Sequence, residues 1–190
     1  MSSNSSLTLD IVGVIIFIMV IRLRRVINGT KASVLSATLY SSWYVVFGVA
    51  LVLGSYYAGV PPAAFVIYAA VAGLSMLFAY RHSSRSLVFW RTAEDEIYFK
   101  GGLVIMVIYI AAFAIRVALA YFFLGIQYLF YYGGPGGTVE LSAPTLLAIV
   151  AGDILVMVGS GLRLGRNAQT LHVFRLIKAG HEEYLSSGGR

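Results

Sequence analysis

Asp95-Glu96-Ile97-Tyr98-Phe99-Lys100, then Gly101-Gly102, then an apolar run from Leu103 that carries one arginine, Arg116, is the stretch that decides the fold. Its first half has the β-branched and aromatic content of a short strand. The two glycines break that pattern, and the run beyond them is apolar enough for a membrane span. A guanidinium at the centre of a bilayer costs about 2.5–3.5 kcal/mol on insertion scales, so Arg116 needs a partner. Asp153 and Asp10 are the two acids set in apolar surroundings.

The composition agrees with a membrane reading. Apolar residues make up 59% of the 190-residue chain and charged residues 12%, against roughly 25% charged in a soluble domain. Mean hydropathy is +0.83. These values predict an all-α integral membrane protein with a single membrane domain over residues 1–190. Cysteine is absent, which excludes disulfides, thiol relays, iron–sulfur clusters and thiolate-bound metals.

Working outward, hydropathy predicts five transmembrane helices, over about 7–22, 34–57, 63–80, 103–124 and 144–164. The first carries its positive charges after the apolar core, at Arg22, Arg24 and Arg25, unlike a cleaved signal peptide. Ala50 and Gly54 have the small-residue spacing of a close helix contact. Between the third and fourth spans, Leu87 to Arg91 and Glu96 to Lys100 flank an acidic turn and predict a β-hairpin within about 86–101. The alternative there is a helical connector. An aromatic segment and a glycine-rich loop occupy about 125–143. A separate amphipathic helix is expected over about 166–185, lying on the inner membrane surface. Its polar face holds His172, Arg175, Lys178 and Glu182; its apolar face holds Leu171, Val173, Phe174, Leu176 and Ile177.

Charge placement sets the expected topology. With the N-terminus outside, every lysine and arginine except Arg116 falls in an inner segment. This is the positive-inside pattern. It accounts for the net charge of +6 by orientation and contact with anionic lipid, so no nucleic-acid partner is expected. The chain is expected in the cell membrane, with the lipid bilayer and other membrane proteins, or copies of itself, as partners.

Counting helical rise from the inner ends of their spans puts Arg116, Asp10 and Asp153 within about one turn of each other in depth. A buried charge network of the three follows. It either fixes helix register, marks a polar pathway or substrate site, or presents Arg116 to a partner. Other chemistry is poorly supported. His82, His172 and His181 all map to the inner side, which argues against a buried bis-histidine haem. Glu94, Asp95 and Glu96 are better read as a solvated turn than a cation site. No nucleotide loop, metalloprotease or nucleophile motif is present, and neither metal nor cofactor is expected.

The Asp-x-Ile-Tyr-x-Lys run at Asp95, Ile97, Tyr98 and Lys100, with the Ile115-Arg116 pair beyond it in an apolar helix, resembles the CcdC-like family. These are small membrane proteins associated with cytochrome c biogenesis. The specific part covers about a ninth of the chain; elsewhere only the hydropathy is similar. The resemblance implies a multi-span accessory protein of a thiol–disulfide or cytochrome c maturation system, without catalysis of its own. A small transporter or ion-conducting protein using Arg116 and Asp153, and a small subunit of a respiratory complex, are the alternatives.

Overall fold

In a computed structural model of the protein, residues 27–119 and 142–185 are described, together with Phe17, Val20, Ile21 and Arg24. The first expected span with Asp10, the end of the fourth, and the segment up to residue 141 therefore lie largely or wholly outside the described residues. The element order is β1 (Thr30–Lys31), α1 (Val34–Tyr57), α2 (Pro62–Ser86), β2 (Val88–Arg91), β3 (Ile97–Lys100), α3 (Leu103–Leu119), α4 (Ala143–Lys178) and a short 3-10 turn, Glu182–Tyr184. The fold is mostly helical with a small three-stranded sheet. Three helices, α1, α2 and α4, are long and apolar enough to cross a membrane, and α3 is a shorter apolar helix.

The helices begin and end where backbone chemistry requires. Tyr57 closes α1, and a tight turn follows in which Val60 N–H donates to Ser55 O at 3.0 Å. Pro61 and Pro62 then open α2, because a helix start lacks partners for its first N–H groups and tolerates proline. Ser142 caps α4, its hydroxyl accepting from Thr145 N–H at 3.4 Å.

α4 is the axis of the bundle, and α2 is its main partner. A Cβ built on Gly161 would lie 2.3 Å from Ala72 O, and one on Gly165 would lie 2.0 Å from Met76 O. The two backbones thus cross in contact through Gly161-x-x-x-Gly165, and run parallel, since residue numbers rise together along the seam. Close approach of this kind replaces the hydrophobic drive that lipid removes. The parallel sense has a topological consequence. The chain leaves α2 at the sheet end and enters α4 at the opposite end, so the segment beginning with α3 must carry it back. On α1 the buried face is Leu51, Gly54 and Ser55; Ala50 of the expected small-residue pair is exposed.

The expected hairpin forms. β2 and β3 pair antiparallel with Phe89 opposite Phe99 and Trp90 opposite Tyr98, so the helical alternative does not hold. β1 adds a third strand on the other side of β3, giving the order β1-β3-β2.

Two expected boundaries are corrected. α2 continues past residue 80 through Arg81, His82 and Arg85 to Ser86. More substantially, among the described residues no separate surface helix follows the last span. α4 runs unbroken for 36 residues, about 54 Å at the usual rise. The physical reason is that its far end has protein to cover. Val173 and Ile177 bury against Ala32, Phe89 and Ile97 of the sheet, so the apolar face meets the hairpin rather than lipid. The lone hairpin, marginal in water, gains its support from the same contact.

Candidate functional site

Asp153, on α4, is 2% exposed and lies where α1, α2 and α4 meet. Ser55, in the last turn of α1, donates to Asp153 Oδ2 at 2.5 Å. Tyr68, in the second turn of α2, donates to the same oxygen at 3.1 Å. Ser55 Oγ is also 2.9 Å from Leu51 O, so its single proton is shared between a carboxyl and a helix carbonyl. Both hydroxyl residues are almost fully enclosed, Ser55 at 0% and Tyr68 at 1% exposure. Around them Leu51, Val60, Ala64 and Met157 pack with Tyr68 into an apolar core. The site is a carboxyl group held dry by two hydroxyls, as a buried polar group requires.

Arg116 reaches the same level from α3. Its Cγ would lie 3.7 Å from a Cβ on Gly152, the residue next to Asp153. At the sheet end, ion pairs join Lys31 to Glu96 and Arg91 to Asp95 and Glu182, and His181 meets Glu183. Arg116 and Asp153 thus lie at one depth, and the hydroxyls of Ser55 and Tyr68 are among the partners of Asp153. Asp10 lies outside the described residues.

The motif residues before the glycines lie in the hairpin, and Arg116 lies in α3. Asp95 takes a left-handed backbone, φ 60°, at the hairpin turn, where it meets Arg91 Nε at 3.2 Å. Ile97 is buried in the sheet core. Tyr98 stacks on Trp90 with centroids 5.9 Å apart, and Lys100 Nζ sits 5.7 Å from the Trp90 ring centre. Lys31 and Glu96 tie β1 to β3. Their hydrogen bond is the main cause that raises the Lys31 pKa and lowers that of Glu96.

A second polar centre was not anticipated. Arg163 lies with its guanidinium 4.6 Å from the Tyr109 ring centre and donates to Met106 Sδ at 3.1 Å. Arg166, one turn on, is 9% exposed and donates to Gly101 O at 3.0 Å. The histidines are scattered: His82 stacks on Phe78, His172 lies near Tyr80 and His181 pairs with Glu183. Among the described residues no group of three or more His, Asp or Glu is placed to hold a metal ion. Gly161-x-x-x-Gly165 was the one missed feature with a sequence signal, the spacing of a close helix pair. Ser55 and Tyr68 carried none.

No family model, curated protein or solved structure matches the chain.

Proposed function

We propose that this chain is a non-enzymatic accessory protein of the cell membrane. On this reading it is multi-pass, with five spans, the N-terminus outside and the sheet on the inner side, and works beside other membrane proteins or copies of itself. The observation that carries the reading is the enclosure of Asp153. A transporter or conducting protein needs water or substrate to reach its intramembrane charge, whereas this carboxyl is 2% exposed and held by Ser55 and Tyr68. A packed, hydrogen-bonded centre suits a scaffold that holds helix register. The apolar side chains exposed along α1 and α2, among them Leu39, Trp43, Val46, Val66 and Leu74, suit lipid and neighbouring helices.

The particular system we assign is cytochrome c biogenesis, from the resemblance of Asp95, Ile97, Tyr98, Lys100 and Arg116 to the CcdC-like pattern. The chain has no cysteine, which suits a part that assists thiol chemistry performed elsewhere. The test is removal of the gene followed by measurement of covalently bound c-type haem in the membranes. Reduced haem, restored by the unaltered protein, supports the assignment. Unchanged haem overturns it.

A further inference from the structure

We propose that Arg166 anchors a binding site for a phosphate-bearing anion at the sheet end of the bundle. The starting point is a cation enclosed by the fold with too few partners. Of the five N–H donors of a guanidinium, the described contacts of Arg166 use one, to Gly101 O at 3.0 Å. Its Nε is buried without a hydrogen-bond partner, and its plane faces the Phe99 ring at 5.6 Å. A buried charge is stable only when an opposite charge or a full set of hydrogen bonds accompanies it.

No described acid of the surrounding elements supplies that charge. Glu96 is tied to Lys31, Asp95 and Glu182 to Arg91, and Glu183 to His181. Glu94 is exposed in the hairpin turn, at the opposite end of β3 from Gly101. Asp153 lies thirteen residues back along α4, about 20 Å away by helical rise. Arg163, one turn earlier on α4, is itself a cation, and the residue before the glycine linker is Lys100.

Further polar groups without partners lie on the adjoining turns. Ser86, at the end of α2, brings its carbonyl against Gly101, where a Cβ would lie 2.1 Å from that oxygen. The hydroxyls of Ser83 and Ser86 are buried without partners, and so is the side-chain amide oxygen of Gln169, one turn beyond Arg166. Guanidinium and hydroxyl donors together fit a phosphate oxygen, which a guanidinium fork recognises better than an ammonium does. The corner also lies where α2 ends and α3 begins, the level at which headgroup phosphates border a span. An acidic phospholipid and a soluble phosphate share this chemistry.

The experiment is thermal unfolding of the full chain in mild detergent, with added phosphatidylglycerol, phosphatidylcholine or inorganic phosphate. Phosphatidylglycerol is expected to raise the midpoint by several degrees and phosphatidylcholine to leave it unchanged. An equal rise with inorganic phosphate alone would keep the site and assign it to a soluble anion. Arg166→Gln should abolish the rise, Arg166→Lys should reduce it, and Arg175→Gln, at an exposed arginine of the same helix, should retain it. A rise undiminished in Arg166→Gln, or lost equally in Arg175→Gln, would overturn the site in favour of diffuse charge. Should Arg166→Gln fail to fold, native mass spectrometry of the unaltered protein decides. Preferential retention of phosphatidylglycerol together with its loss in Arg166→Lys supports the site, and retention of both lipids alike overturns it.

Discussion

Gly165 on α4 meets Met76 on α2 so closely that a methyl group at Gly165 would lie 2.0 Å from the Met76 carbonyl oxygen. The obstacle is backbone, which cannot swing aside as a side chain can. Gly161 stands in the same relation to Ala72, at 2.3 Å.

Gly165→Ala should therefore push α4 from α2 and cost about 1–3 kcal/mol or more, the range for overpacking a tight contact. Gly161→Ala should act similarly. Gly73→Ala, where nothing lies within 4 Å, should be tolerated. Thermal unfolding in detergent ranks the three, and equal midpoints for Gly165→Ala and Gly73→Ala would refute the seam.

Removing one hydroxyl from Asp153 leaves a buried carboxyl oxygen short of a partner. Tyr68→Phe and Ser55→Ala should each destabilise by about 1–3 kcal/mol. In a double-mutant cycle, Tyr68→Phe with Asp153→Asn should couple by about 0.5–3 kcal/mol. Additive losses would mean that the Tyr68 hydroxyl and Asp153 do not interact.

At the hairpin turn, Asp95 holds a left-handed backbone, which most L-residues adopt only at about 1–2 kcal/mol. Asp95→Gly should be neutral or stabilising despite loss of the exposed Arg91 contact, which is worth little. Asp95→Val should weaken the sheet. Amide exchange at Thr92 and Glu96 would register both changes, and equal protection in the two variants would count against the turn.

The Lys31–Glu96 pair makes attachment of β1 depend on pH. Glu96 has its folded pKa lowered from the ordinary 4.5, chiefly by the hydrogen bond from Lys31. Its contribution is complete above that ordinary value and is lost as pH falls through the folded one. Lys31 is raised from 10.5 by the same bond, so its contribution is complete below 10.5 and is lost as pH rises through the folded value. Exchange of the Ala32 amide, which donates to Ile97 O at 2.8 Å, should quicken at both extremes. Both groups are exposed, so the effect should be small and reduced by salt. Glu96→Gln should remove the acid limb, and an unchanged acid limb in that variant would exclude the pair as its cause.

Charge placement should divide single-cysteine variants cleanly, because the chain has no cysteine of its own. An impermeant thiol reagent applied outside should label Ala58→Cys, in the turn between α1 and α2, and spare Glu94→Cys at the hairpin. Labelling of Glu94→Cys from outside would reverse the proposed orientation.

The hairpin could be read in the sequence because Leu87 to Arg91 and Glu96 to Lys100 are aromatic, short and set about an acidic turn. β1 could not, since two residues, Thr30 and Lys31, leave no alternation to detect. The helix boundary near Leu164 was misplaced for an instructive reason. Arg163, Gly165 and Arg166 look like the polar close of a span, yet the glycine is the contact point with Met76 and Arg166 folds against the Gly101–Gly102 linker. At Asp153 the sequence directs attention to charges, because a buried carboxylate calls for a cation. The fold also sets two hydroxyls on it, from a serine and a tyrosine that hydropathy does not distinguish from their neighbours.

The unbroken course of α4 makes it a mechanical link. Asp153 and Val173 lie twenty residues apart on one rod, about 30 Å along its axis. Between them no proline or irregular turn absorbs torque. A twist or axial shift imposed on the helix at Asp153 is therefore delivered to Val173 and Ile177, and through them to Phe89 and Ile97. The sheet is geared to the level of Asp153, so a change at that level is registered at the far end of the helix.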